Sequence, residues 1–149
     1  MLSSRARYAS RALLELSLAY PCGPMLIHDI ADRQKIPLKY LQKILFDLKK
    51  AGLLISRKGP GGGYVLARSP DRINLGQVLD AMDDGIAKFC GSDQGSADCG
   101  CPQPDSCALH AAIGEVAANL RKNLDRVTFA DLSERHRALV GQAISDFVI

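Results

Sequence analysis

The sequence predicts a mainly α-helical protein with one small β-hairpin, in the order three helices, hairpin, then further helices of which one is long. Three observations carry this. Of 149 residues, 47% are apolar but only 5% aromatic and none is Trp, so the core is built from Leu, Ile, Val and Ala. That mixture favours helices over a β-sandwich. Apolar positions recur at helical spacing over most of the chain. The main interruption is Gly59-Pro60-Gly61-Gly62-Gly63, set between two short strand-like runs.

Residues 4–19 place Tyr8, Ala9, Ala12, Leu13, Leu16 and Ala19 at helical spacing, and Pro21 and Gly23 stop this first helix. Residues 27–36, IHDIADRQKI, form a short second helix with Ile27, Ile30 and Ala31 on one face. Pro37 fits near the first position of a third helix, where its missing N–H costs nothing. In that helix, LKYLQKILFDLKKAG, Leu38, Leu41, Ile44, Leu45 and Leu48 turn inward. Lys39, Tyr40, Gln42, Lys43, Lys49 and Lys50 face elsewhere, and Gly52 ends the helix just past its cap. The runs 53–57 and 64–68 then flank the glycine-rich tip, with Arg57 and Lys58 at its base.

Residues 74–85 read as a fourth helix, with Asn74 as N-cap and Gly85 as stop. A cysteine-rich loop follows. A long helix from about 106 to 127 carries an apolar stripe of Ile113, Val116, Ala117, Leu120 and Leu124. A tail helix from about 133 to 148 carries Leu139, Val140, Ala143, Ile144 and Phe147. The chain has no internal repeat.

The net charge of +3 hides an asymmetry. Residues 1–70 hold 12 Lys/Arg against 4 Asp/Glu, whereas residues 71–149 hold 7 against 12. A basic front half points to a polyanion, most often nucleic acid, although a solvated charged face gives the same count. No run of 18 apolar residues exists, so no segment is expected to span a membrane. Residues 1–20 have basic residues before an apolar run, as a secretory signal does. Glu15 breaks the run and no clean cleavage site follows, so they are expected to be a helix of a cytoplasmic protein. In that compartment clustered cysteines serve more often as metal ligands or redox sensors than as structural disulfides.

Three helices followed by a basic hairpin is the winged helix-turn-helix order, with the helix-turn-helix at about 27–51 and the wing at 53–68. A third helix of this kind enters the major groove, where Lys39 and Lys43 meet phosphates while Tyr40 and Gln42 reach bases or backbone. In the wing, Arg57, Lys58, Gly59, Pro60 and Gly61 let the chain approach a phosphate or enter the minor groove. No GK[ST] follows the glycines, so they are not a P-loop. No Ser/His/Asp or Cys/His constellation stands out either, so the protein is not expected to be an enzyme.

RYASRALLELSLA, IHDIADRQKIPLKYLQKILFDLKKAGLL, VTFADL and above all RKGPGGGYVLAR resemble the Rrf2 family of bacterial transcription regulators, over residues 1 to about 132. The wing motif is highly specific to that family. The resemblance implies a homodimer that binds a roughly palindromic DNA operator with the third helix and wing of each subunit. It also implies that the long helix after the wing builds the dimer.

The cysteine loop reads C90-x8-C99-x-C101-x5-C107-x2-H110. Structural zinc sites prefer C-x2–4-C pairs and ferredoxin-like clusters C-x2-C runs, and neither is present. Spacing therefore leaves a disulfide, zinc and an iron–sulfur cluster open. CPQPDSCALH, however, is similar to the C-x5-C-x2-H end of the iron–sulfur-binding branch of Rrf2 regulators. That resemblance carries over to Cys101, Cys107 and His110, with Cys90 as the first ligand. Two departures stand out. The gap from Cys90 to Cys101 is longer than in many members, and Cys99 is an alternative ligand. Some relatives take a carboxylate near residue 8 as fourth ligand. Tyr8 stands there here, which favours His110, and an isolated imidazole favours 2Fe–2S over 4Fe–4S. Cys22, His28 and His136 read as ordinary polar positions. The expected organisation is 1–85 for DNA binding, 86–107 for the cluster, and 108–149 for the dimerisation and tail helices. The implied function is an operator-binding regulator sensing redox, iron–sulfur, iron or nitric oxide status. The alternatives are a regulator acting through thiol oxidation or a small effector without a cluster, and a zinc-stabilised DNA-binding protein.

Overall fold

The computed structural model describes residues 3–82 and 107–147. Helix α1 (Ser4–Leu18) is started by Ser3, whose hydroxyl accepts from the Ala6 N–H at 3.1 Å. It buries Ala6, Ala9, Ala12, Leu13 and Leu16, so small side chains let neighbouring helices approach closely. Helix α2 (Ile27–Gln34) is shorter than the sequence predicts, because Lys35 turns left-handed and the Ile36 N–H closes back on the Ala31 carbonyl. Glu15, almost buried on α1, accepts from Gln34 and pairs with Arg33, which pins the end of α2.

Pro37 is the N-cap of helix α3 (Leu38–Lys50) rather than its first turn. Leu41, Ile44, Leu45 and Leu48 of α3 are fully buried, each stabilising the fold by about 1.5–3 kcal/mol relative to exposure. The helix ends in a Schellman motif, with the Leu53 N–H on the Leu48 carbonyl and the Gly52 N–H on the Lys49 carbonyl.

Strands β1 (Leu54–Arg57) and β2 (Gly63–Leu66) pair antiparallel, with Leu54 opposite Leu66 and Arg57 opposite Gly63. Their tip is a turn closed by the Gly62 N–H on the Gly59 carbonyl, with Pro60 and the positive-φ Gly61 (73°) at its centre, as a type II turn requires. The hairpin is anchored at its base by a contact absent from the sequence expectation. Met25 and Tyr64 exchange two main-chain hydrogen bonds, of 3.0 and 2.9 Å, so the segment before α2 forms an isolated antiparallel bridge to β2.

After a 3₁₀ turn (Pro70–Arg72), helix α4 (Leu75–Ala81) opens with a full capping box between Asn74 and Gln77. It ends at Met82, earlier than predicted, and the expected stop at Gly85 lies outside the described residues. Helix α5 (Ala108–Arg126) and helix α6 (Phe129–Phe147) complete the chain. α6 starts four residues before its predicted start. Thr128 and Asp131 form a reciprocal cap, and Phe129 is fully buried. One core joins α1, α3, α4, the base of the hairpin and Phe129.

Candidate nucleic-acid interface and cysteine site

The two flanks of α3 are occupied by other elements. On one side Tyr40 meets Tyr8 of α1 edge-on, with ring centroids 5.8 Å apart, and Asp47 pairs with Arg5 at 2.5 Å. Arg5 also reaches the Met82 carbonyl at the end of α4, so one side chain links α1, α3 and α4. On the other side Lys49 donates to the Ser56 hydroxyl of β1 at 2.6 Å. What stays uncovered is the crest opposite the core, made of Lys39, Gln42, Lys43, Phe46 and Lys50, all exposed. A helix held on both flanks and bare along its crest is the geometry that enters a groove as a rigid body.

The wing continues this basic surface. Arg57, Lys58, Gly59, Pro60 and Gly61 are all exposed. Arg57 ends the β-ladder and lines a hollow of about 130 Å³ with Leu16, Tyr20, Pro21, Gly23, Val65 and Leu66. A Cβ on Gly63 would lie 2.4 Å from the Met25 carbonyl oxygen, so only glycine lets the wing sit this close to the segment before α2.

Of the predicted ligands, Cys107 and His110 are described, whereas Cys90, Cys99 and Cys101 lie outside the described residues. Cys107 is the N-cap of α5, one place before the helical turn in which the sequence sets it, and the Ala111 N–H donates to its carbonyl. His110 lies on the first turn. The three-residue step puts both half-buried residues on one side of the helix start. A thiol and an imidazole so placed are suitable donors for iron–sulfur or zinc chemistry. Among the described residues no three His, Cys, Asp or Glu side chains converge, so the rest of a site would come from outside them.

α5 itself buries only Ala117. Leu109, Val116 and Leu120 are exposed, and Ala112, Ile113, Val116, Ala117 and Leu120 line an apolar groove of about 310 Å³. The other end of α5 is fixed. Arg121 donates to Asp80 of α4 at 2.7 Å and to Asp125, and these two carboxylates raise its already high pKa further. Beyond it, Leu75 bonds the Val127 carbonyl and Phe129 bonds the Ile73 carbonyl, which ties the α5–α6 corner to the start of α4.

The Rrf2 family, described as an iron-dependent transcriptional regulator, matches residues 2–135. The chain belongs to the Rrf2 family. It is 36% identical over 139 residues to the HTH-type transcriptional regulator IscR of Cronobacter sakazakii, covering 93% of this chain and 83% of that protein. Among solved structures, IscR of T. potens superposes with a TM-score of 0.74 at 27% identity, over 91% of this chain and 88% of that one. CymR (YrzC), the global cysteine regulator of B. subtilis, superposes with a TM-score of 0.71 at 25% identity, over 91% and 97%. The protein is therefore a DNA-binding transcriptional regulator of the Rrf2 type with a winged helix-turn-helix, and not an enzyme. No helix among the described residues is long and apolar enough to cross a membrane.

Within this Rrf2 fold, Lys39, Gln42 and Lys43 share the bare crest of α3, while Tyr40 lies on the flank against Tyr8. Sequence reasoning turned Lys50 outward but left it out of the DNA-contacting set, and it missed Phe46 on the crest and Arg5 as the brace behind it. Spacing held the signal for Phe46, which is three residues from Lys43 and seven from Lys39.

Proposed function

We propose that this Rrf2 regulator works as a homodimer on a roughly palindromic operator, and that an iron–sulfur cluster held by Cys90, Cys101, Cys107 and His110 controls its affinity. Cys99 is the alternative second thiolate, and 2Fe–2S the favoured form. The observation that carries the reading is the pairing of Cys107 and His110 at the start of the helix that bears the exposed apolar groove. The C-x5-C-x2-H resemblance and the family's iron-dependent description support it.

Each part has a task in this reading. Lys39, Gln42 and Lys43 enter the major groove from the crest of α3, with Tyr40 beside them toward the backbone. Arg57, Lys58 and the tip Gly59-Pro60-Gly61 follow the backbone into the minor groove. The groove on α5 closes against its copy in the second subunit. Cys107 and His110 fasten the cysteine segment to α5. Once bound, the cluster supplies a cross-link there that responds to redox, iron or nitric oxide status. Because Arg121 and the corner bonds tie α5 to α4, and Arg5 ties α4 to α3, a shift at the start of α5 has a connected route to the recognition helix. Two half-sites lie about one helical turn of DNA apart, roughly 34 Å, or a multiple of it, so a small change in subunit separation changes affinity. The cluster can shift that balance by no more than its difference in affinity for the two arrangements.

Anaerobic purification with an absorption spectrum and iron and sulfide counts tests the cluster. Visible absorption with bound iron and sulfide, lost in Cys107→Ala, supports it. Zinc in place of iron, or no metal, overturns it. Iron-free protein that keeps operator binding and responds to thiol oxidation would support a cluster-independent regulator instead.

A further inference from the structure

We propose that Phe46 is a specificity-determining residue, reading the 5-methyl group of a thymine in each operator half-site. The inference rests on the operator-binding reading above and deepens it. Phe46 is 65% exposed, the most exposed aromatic side chain among the described residues. A phenyl ring in that position lies outside the buried core. It stands at the centre of the bare crest of α3, four residues from both Gln42 and Lys50 and three from Lys43. These are same-face intervals on a helix.

Among the described residues, other elements take the flanks of α3 and Phe46 lies outside the buried core. α1 occupies one side through Tyr8 and Arg5, and β1 occupies the other through Ser56. Phe46 thus faces whatever the lysines face. It lies seven residues beyond Lys39, about 10 Å along the axis at 1.5 Å per residue, so both fit within one groove crossing. A phenyl ring has no donor for a phosphate. In the major groove the feature that takes an apolar contact is the thymine methyl. Flanking lysines hold the helix down by charge, and a lysine that reaches a base edge reads guanine, not thymine. Phe46 is then the crest residue suited to choose a thymine by its methyl.

In vitro selection of duplex DNA by the full-length, anaerobically purified protein tests this, with Phe46→Ala in parallel. The wild type enriches a thymine in each half-site that Phe46→Ala no longer requires. Replacing that thymine by deoxyuridine, which lacks only the methyl, weakens the wild type about fourfold per half-site, as expected for one buried carbon, and leaves Phe46→Ala unchanged. Phe46→Leu keeps part of the preference, and melting curves confirm that both variants fold. Identical motifs from wild type and Phe46→Ala, or equal deoxyuridine losses in both, overturn the proposal. Unchanged selection with lost binding to a second protein would place the ring at a protein contact, which also overturns it. A wild type that enriches no sequence would mark failure of the operator reading itself.

Discussion

Gly63→Ala should detach the wing from the body of the protein. Two costs arise at this position. The φ of 147° is one that a side chain rarely adopts, which costs about 1–2 kcal/mol. The new Cβ would also lie 2.4 Å from the Met25 oxygen and 2.7 Å from its carbonyl carbon, both main-chain atoms that cannot rotate away. Relief requires separating Met25 from Tyr64 and losing their two hydrogen bonds, at about 0.5–1.5 kcal/mol each. Together these destabilise the fold by about 2–5 kcal/mol. Gly59→Ala provides the comparison. Its φ of 96° is also unfavourable, but a Cβ there meets nothing within 4 Å, so it should cost about 1–2 kcal/mol only. Urea unfolding followed by circular dichroism measures both, and a gel-shift titration should show weaker operator binding by Gly63→Ala. Equal unfolding midpoints for the two variants would refute the close-approach argument.

Other outcomes follow from separate parts of the structure. Val116→Glu or Leu120→Glu places a charge in the apolar groove of α5 and should convert a dimer to a monomer, read by light scattering after size exclusion; a dimer that persists would move the interface elsewhere. Lys43→Ala should weaken operator binding and, if the contact is to phosphate, lower the slope of log affinity against log salt by about 1; no loss in a gel shift would remove Lys43 from the interface. The Asp131 carboxyl is held below its ordinary 3.8 by hydrogen bonds from the Thr128 hydroxyl first and the Thr128 N–H next. A depressed carboxylate stabilises the folded state above 3.8, and that contribution is lost as pH falls through the folded value. Acid titration by circular dichroism should therefore show Asp131→Asn and wild type converging below about pH 3.8, with the variant less stable at neutral pH. A constant difference across that range would exclude the cap as its source.

The helices and the wing were legible because their signals are local. Periodicity placed Leu41, Ile44, Leu45 and Leu48 in the core, and Asn74 marked the start of α4. The start of α6 was misjudged because the local Thr128–Asp131 cap was passed over, and Phe129, which opens the helix, is buried against distant elements. The Met25–Tyr64 bridge and the Arg5–Asp47 pair join segments far apart in the chain, and nothing local announces them. Phe46 was passed over for a different reason. An apolar residue on a charged face breaks the binary pattern, and such breaks concentrate at functional positions. Of the proposed metal ligands, only Cys107 and His110 lie among the described residues, and their shared side of the α5 start agrees with the three-residue spacing.

The most direct measurement is the operator affinity of the anaerobically purified protein before and after treatment with an iron chelator, alongside Cys107→Ala under both conditions. A wild type whose affinity differs between the two states, with a Cys107→Ala variant indifferent to them, is the predicted result. Identical wild-type affinities in both states would contradict it.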